Sequence, residues 1–253
     1  MSIVDSKKRI LISQPAPTTG SPYTDLVNKY GLDIDFIPFF KVEPVSLNDF
    51  RSQRVNILDY TAIVFSSRTA IDSFFNLAKK MRVTIPETMK YFCQSEAIAL
   101  YLQKYIVYRK RKIFFGTGTV ASMVQAIGTK HKGEHFLIAC TDNLKPEVHK
   151  LFTKEKLKHG SAVFVRTVSN DLSGLNPHDY QVVAFYSPSD VKSLQEAYPD
   201  FEQKDLVFAT FGPSTAKAME EAGLKVDIKA PTPNAPSIAE ALSNYLESGR
   251  EQE

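Results

Sequence analysis

At 253 residues, with 43% hydrophobic and 23% charged side chains and a formal net charge of +3, the chain fits one large domain or two ordinary ones, and its charge is too balanced to announce a nucleic-acid partner. Its two cysteines, Cys93 and Cys140, lie far apart, which excludes a disulfide framework and fits a reducing compartment. The apolar stretch Ile10 to Ile12 is too short for a signal-peptide core, and no apolar run approaches the roughly 20 residues of a membrane span, so a cytoplasmic protein without a membrane partner is expected.

In chain order, "RILIS" (9–13) reads as a strand, followed by a helix through "SPYTDLVNKYG" that Gly31 ends. "DIDFIPFF" (33–40) reads as extended, with Pro38 arguing against a central strand, and a polar stretch follows. "YTAIVFSS" (60–67) is a buried-type strand, and "RTAIDSFFNLAKKM" is an amphipathic helix with Ala70, Ile71, Phe74, Phe75 and Ala78 on one face. Next come strand "KYFCQS", helix "EAIALYLQKY", strand "KIFFGT", helix "VASMVQAIGTKH", strand "EHFLIAC", helix "PEVHKLFTKEKLK" and strand "SAVFVRTVS". After the loop "NDLSGLNPHD" come strand "YQVVAFYS", helix "DVKSLQEAY", strand "LVFATFG", helix "TAKAMEEAG", strand "KVDIKA" and a last helix from "PSIAEALSNYLES". Strands alternating with helices predict an α/β fold of parallel sheets flanked by helices, with ligand loops on the edge where the strands end.

The chain also repeats itself. "YTAIVFSSRTAIDSFF" from Tyr60 answers to "YQVVAFYSPSDVKSLQ" from Tyr180, an offset of 120. "FCQSEAIAL" from Phe92 answers to "FGPSTAKAM" from Phe211, an offset of 119. A period near half the chain predicts two related α/β domains.

Small and hydroxylic residues gather at the predicted strand ends: Ser13 and Gln14; Ser66, Ser67 and Arg68; Ser95; Gly116, Thr117, Gly118 and Thr119; Thr141; Ser187 and Ser189; Gly212, Ser214 and Thr215. Helix N-termini with unpaired N–H groups suit carboxylate or phosphate, although Ser and Thr also serve there simply as caps. Such loops gathered on one ligand would suit a molecule with several acidic groups. "GTGTVA" (116–121) lacks the third glycine of a dinucleotide fingerprint and reads better as a capping turn. "YRKRK" (108–112) reads as a solvated loop. His131 and His135 are separated by Gly133 and make a poor metal pair, and Cys93 reads as a small buried residue.

The turn in "FSSRTAI" resembles the F-[ST]-S-x-x-A-[VI] turn of the uroporphyrinogen-III synthase family, and "FGPSTAKAM" resembles its G-x-x-T-A-x-x-[LM] turn. "GSAVFVRTVS" (160–169) looks like that family's returning segment and "SPSDVKSL" like its second F-x-S-P-x-x-[VA] turn, so the similarity runs from "ILISQP" to the last helix. The resemblance implies two related α/β domains, one inserted in the other, with the active site in the cleft between them. Here the first domain would be residues 1–37 and 170–253, the second 43–162, and 38–42 and 163–169 the connecting strands. It also implies a cofactor-free lyase reaction. Linear hydroxymethylbilane, with eight carboxylates, loses water and cyclises with ring D inverted through a spiro intermediate, giving uroporphyrinogen III. Carried over to matching positions, Thr215 is the expected catalytic residue. Gln14, Ser66, Ser67, Arg68, Ser95, Gly116, Thr117, Ser187, Ser189, Gly212 and Ser214 are the expected substrate-binding set. The partner is this polycarboxylate rather than nucleic acid or membrane, no metal or cofactor is called for, and a monomer is compatible with it.

The chain departs from the family pattern at three places. Val165 stands where the family often has tyrosine, Gln14 where it commonly has arginine, and Glu96 where the first G-x-x-T-A turn has threonine. Glu96 is read as facing solvent or capping its helix. These departures keep open a non-catalytic paralogue that binds a tetrapyrrole or other polycarboxylate. A flavodoxin-like binding protein without tetrapyrrole is the third reading.

Overall fold

The computed structural model describes residues 9–17, 20–142, 144 and 146–250. The elements run β1 (Arg9–Ile12), α1 (Pro22–Tyr30), β2 (Asp33–Phe36), β3 (Phe40–Pro44), α2 (Leu47–Ser52), β4 (Ala62–Phe65), α3 (Arg68–Lys80), β5 (Lys90–Cys93) and α4 (Glu96–Tyr101). They continue with β6 (Ile113–Phe115), α5 (Val120–Ile127), β7 (His135–Thr141), α6 (Pro146–Lys154), β8 (Lys158–Ser169), β9 (Val182–Phe185), α7 (Pro188–Ala197), β10 (Val207–Phe211), α8 (Pro213–Glu221), β11 (Ile228–Ala230) and α9 (Ile238–Arg250). Short 3-10 turns lie between some of them.

The chain divides into two compact units, one running to Lys41 and resuming at Val168, the other Val42–Thr167. The first holds a sheet of order β11-β10-β9-β1-β2, parallel at every pairing. Its strands are apolar on both faces because helices cover both. On one face Ile10, Ile12, Ala184 and Ala209 pack with Leu26 of α1 and Leu242 of α9. On the other, Leu11, Val183, Phe185 and Phe208 pack with Val191 and Leu194 of α7 and Met219 of α8.

The second unit holds the sheet β3-β8-β7-β4-β5-β6. Strands β4 to β8 pair in parallel. Helix α3 covers one face through Ala70, Ile71, Phe74 and Leu77, while Met123 of α5 and Phe152 of α6 cover the other. Each fully buried phenylalanine of these layers stabilises its unit by about 1.5–3 kcal/mol. Strand β3 runs antiparallel to β8, since Val45 N–H donates to Phe164 O at 3.0 Å and Asn170 N–H to Phe39 O at 2.8 Å.

The expected parallel sheets flanked by helices are present, with differences in detail. The extended reading of 33–40 is broken: β2 ends at Phe36, and Pro38 sits in the gap before β3 rather than in a ladder. The polar stretch after it holds the short helix α2, which Ser46 caps by accepting the Asp49 N–H at 3.1 Å. Its signal, serine with an acid three residues on, is that of a capping box.

The repeat is partly as read. Strands β4 and β9 and the N-caps Ser67 and Ser187 keep the offset of 120. So do two 3-10 turns, where Asn56 and Asn176 cap and each donates from its side chain to Asp59 or Asp179. The second pair of turns is displaced. Phe92 lies beside Val64, whereas Ala184, the counterpart of Val64, lies beside Ala209. Phe92 therefore answers to Ala209 and not to Phe211, and the helix caps agree, with Ser95 answering to Gly212. A slip of two residues preserves strand facing, so the lettering of "FCQSEA" and "FGPSTA" matched while their register did not. Glu96 is the counterpart of Pro213, and the threonine position Thr215 falls at Ile98.

Candidate active-site edges

In each sheet the strand order reverses once. The first unit reverses between β1 and β9, the second between β4 and β7. Loops leaving such a pair go to opposite faces and open a crevice at the carboxyl ends of the strands, where open α/β sheets bind ligands.

At the first unit's edge stand Gln14 after β1, Ser187 and Ser189 after β9, and Gly212, Ser214 and Thr215 after β10. Gln14 and Ser214 are exposed, Ser187 and Ser189 are half-buried, and Thr215 is buried at 1%. Gly212 caps α8 with φ 86° and ψ 151°, a region essentially reserved for glycine. Beside them is an aromatic group: the hydroxyls of Tyr23 and Tyr186 hydrogen-bond to each other, Tyr186 stacks on Phe211 at 5.7 Å, and Tyr23 meets Phe36 edge-on at 5.4 Å. Burial, then the mutual hydrogen bond, raises the pKa of Tyr23.

A buried carboxylate, Asp190, was missed by the sequence reading. It is fully covered, and its Oδ2 accepts the N–H groups of Tyr186 at 2.9 Å and Ser187 at 2.8 Å. Its signal was legible as serine with an acid three residues later, Ser187 to Asp190. Because Asp190 takes those N–H groups, the β9–α7 turn already holds a carboxylate of its own. In the second unit Ala70 occupies the matching place, and the β4–α3 turn has no such internal carboxylate.

At the second unit's edge stand Ser66, Ser67 and Arg68 after β4, Ser95 after β5, and Gly116 and Thr117 after β6. The Ser67 hydroxyl accepts the Ala70 N–H at 3.1 Å, and the exposed Arg68 lies 5.5 Å over the Tyr101 ring. Ser95 is an N-cap that makes no side-chain cap bond, and Glu96 beside it is exposed. A Cβ at Gly116 would come within 2.5 Å of the Met123 backbone nitrogen, so glycine there permits close approach of β6 to α5. The loop "GTGTVA" is a capping turn, as read: the Ser122 hydroxyl takes the N–H groups of Thr117 at 2.9 Å and Thr119 at 3.3 Å.

A cavity of about 290 Å³ opens at the β4/β7 reversal, lined by Phe65, Ser66, Gln94, Ala139 and Thr141 among others. Ser66 is the member of the expected binding set on its wall. A larger cavity of about 570 Å³ lies against the starts of β1, β9 and β10, the opposite end from the ligand loops. Cys93 is buried, as read, and burial pushes its thiol up to about 12. The expected site residues thus form two sets, one on each sheet's carboxyl edge.

The family model described as uroporphyrinogen-III synthase HemD matches residues 21–240. The chain belongs to the uroporphyrinogen-III synthase family. That family serves tetrapyrrole biosynthesis. Two solved structures of uroporphyrinogen-III synthases share the fold. One is a triple mutant from the extremely thermophilic bacterium Thermus thermophilus, 14% identical, with 96% of this chain and 99% of that one covered at a TM-score of 0.52. The other, from Helicobacter pylori, is 13% identical, with 95% and 99% covered at 0.57. At such identities the likeness is one of fold. No curated protein matches the chain in sequence. Among the described residues no helix is long and apolar enough to cross a membrane.

Proposed function

We propose that this member of the uroporphyrinogen-III synthase family carries out the family's cyclisation: hydroxymethylbilane loses water and closes with ring D inverted to give uroporphyrinogen III, without a cofactor, in the cytoplasm. The observation that carries the reading is the family match over residues 21–240. The chemistry of the two carboxyl edges supports it. Eight substrate carboxylates call for many weak anion contacts, and loop N–H groups, small hydroxyls and Arg68 supply that kind of contact. The reaction asks the protein mainly to fold a flexible chain and to donate a proton to a leaving hydroxyl.

In this reading Thr215 is catalytic, and Gln14, Ser66, Ser67, Arg68, Ser95, Gly116, Thr117, Ser187, Ser189, Gly212 and Ser214 bind substrate. Val165 favours the second reading, a non-catalytic polycarboxylate binder, because it is 1% exposed and offers no hydroxyl where the family often has tyrosine. An assay with freshly made hydroxymethylbilane separates the two. The proposed function gives isomer III faster than the spontaneous reaction, whereas the binder gives saturable binding and only isomer I at the spontaneous rate.

A further inference from the structure

The net charge of +3 hides a division of the chain. Residues 42–167, the second unit, carry 20 lysines and arginines against 10 aspartates and glutamates, and the rest of the chain carries 11 against 18. Within the second unit the excess has a definite place. Five segments lead into the starts of β4, β5, β6, β7 and β8: 53–61, 81–89, 102–112, 128–134 and 155–157. Together with Lys79, Lys80, Lys90, Lys154 and Lys158 at the adjoining element ends, they hold 15 of the 20 cations and 4 of the 10 acids. All other residues of the unit, those of the carboxyl edge included, hold five cations and six acids. The basic face is therefore the amino edge of this sheet. Attraction of a polycarboxylate to the carboxyl edge does not account for it.

The acids on the amino edge are already engaged. Glu134 pairs with Lys90, Glu87 lies 3.7 Å from Arg109, Glu155 lies 3.8 Å from Lys132, and Asp59 accepts from the Asn56 side chain at 2.8 Å. Exposed Lys79, Lys80, Arg82, Lys110, Arg111 and Lys130 make no ion pair among the described residues. Like charges gathered in this way repel one another and weaken the folded state, so the cluster calls for a reason.

Apolar side chains stand among these cations. Val107 is 76% exposed and Leu58 49%, more than any other large hydrophobic residue described, and both lie on this edge. Their loops enter β6 and β4, two strand spacings or about 10 Å apart. Val107 is held outward by its neighbours. Ile106 and Tyr108 pack against the core on either side of it, Tyr105 stacks on Phe75 at 4.5 Å, and the Ile106 N–H donates to Leu102 O at 3.0 Å. The basic turn that follows is closed by the Lys112 N–H donating to Arg109 O at 2.9 Å and by the Lys112 ammonium donating to Glu87 O.

We propose that the amino edge of the second unit docks on an anionic lipid surface, Lys110 and Arg111 meeting the headgroups while Val107 and Leu58 enter the boundary with the acyl chains. Cations with aliphatic tips among them suit such a surface, where headgroup charge and apolar burial act together. A single-stranded nucleic acid would ask for exposed aromatic rings on which bases stack, and the rings of this loop, Tyr105 and Tyr108, are packed inward. The docking is peripheral and reversible. It leaves the carboxyl edge, at the other ends of the same strands, uncovered. The loop that reads in the sequence as merely solvated, in a chain expected to have no membrane partner, thus gains one. This inference is independent of the synthase reading.

The test uses the full chain and large unilamellar vesicles, either phosphatidylcholine alone or with about one-third phosphatidylglycerol, read by co-sedimentation. Binding to the anionic vesicles, its loss in high salt, and no binding to the neutral ones are expected. Each cation near an anionic leaflet strengthens binding about fivefold, so Lys110→Ala/Arg111→Ala is expected to weaken it on the order of 25-fold. Val107→Asp is expected to weaken it several-fold at unchanged salt. Thermal unfolding like that of the wild type shows that these surface variants remain folded; should Val107→Asp not fold, Val107→Ser is read in its place. No binding to anionic vesicles, equal binding to neutral ones, or variants that bind like the wild type would overturn the proposal. So would tighter binding to a single-stranded RNA than to the vesicles, which would assign the basic edge to nucleic acid.

Discussion

Gly212 and Gly116 test the edge loops at the smallest scale, because each forbids a side chain for a different reason. At Gly212 nothing lies within 4 Å of an added Cβ, so the obstacle is the backbone at φ 86°. Gly212→Ala is expected to destabilise the fold by about 1–3 kcal/mol, read by denaturant unfolding. At Gly116 the obstacle is the Met123 backbone, and Gly116→Ala is expected to displace the start of α5, read as lost amide protection there. Arg68→Ala is expected to raise KM several-fold with little change in kcat, since an exposed guanidinium supplies binding rather than chemistry. The loop residues were legible in the sequence because glycine, proline and small hydroxyls mark the turns that end apolar runs. Asp190 was not picked out, because an aspartate after a serine reads as an ordinary cap until its burial is known.

Between elements, the clearest ionic device ties α3 to the end of α4 and the turn after it. Asp72 of α3 accepts from the Tyr101 hydroxyl at 2.9 Å, the Tyr105 hydroxyl at 2.5 Å and the Lys104 Nζ at 2.9 Å. Burial alone would raise its pKa, but the hydrogen bonds of Tyr105, Lys104 and Tyr101 outweigh it and leave the carboxyl below its ordinary value. A lowered folded pKa gives stability that is present above the unfolded value of about 3.9 and is lost as pH falls through the folded value. Asp72→Asn is therefore expected to cost about 1 kcal/mol at pH 7 and to flatten the acid limb of the thermal unfolding profile. An unchanged acid limb would contradict this. Asp190 has the opposite sign: its raised pKa makes the wild-type chain lose stability, relative to Asp190→Asn, as pH rises above about 4. At this scale the sequence was read well where apolar runs alternate with helical periods. It was read less well where register decides. "FCQSEA" and "FGPSTA" share Phe, Ser and Ala, but strand pairing sets their counterparts two residues apart, and pairing is a long-range property that no local pattern carries. The slip also changes the meaning of Glu96, which is no longer a threonine replaced but an exposed residue at the start of α4.

Taken whole, the chain is two parallel-sheet units built on one plan, each with a single strand-order reversal and a carboxyl edge rich in turns. The repeat of Tyr60 at Tyr180 announced that duplication. The unequal chemistry of the two edges was hidden, because it depends on which residues the sheets place side by side. The first edge carries buried oxygens and its own carboxylate. The second carries an apolar cavity, exposed Arg68 and a turn with alanine where Asp190 stands. The direct measurement is the isomer composition of the product made from fresh hydroxymethylbilane by the purified chain. Predominantly isomer III, formed faster than spontaneous closure, is the predicted result; isomer I alone at the spontaneous rate would contradict it.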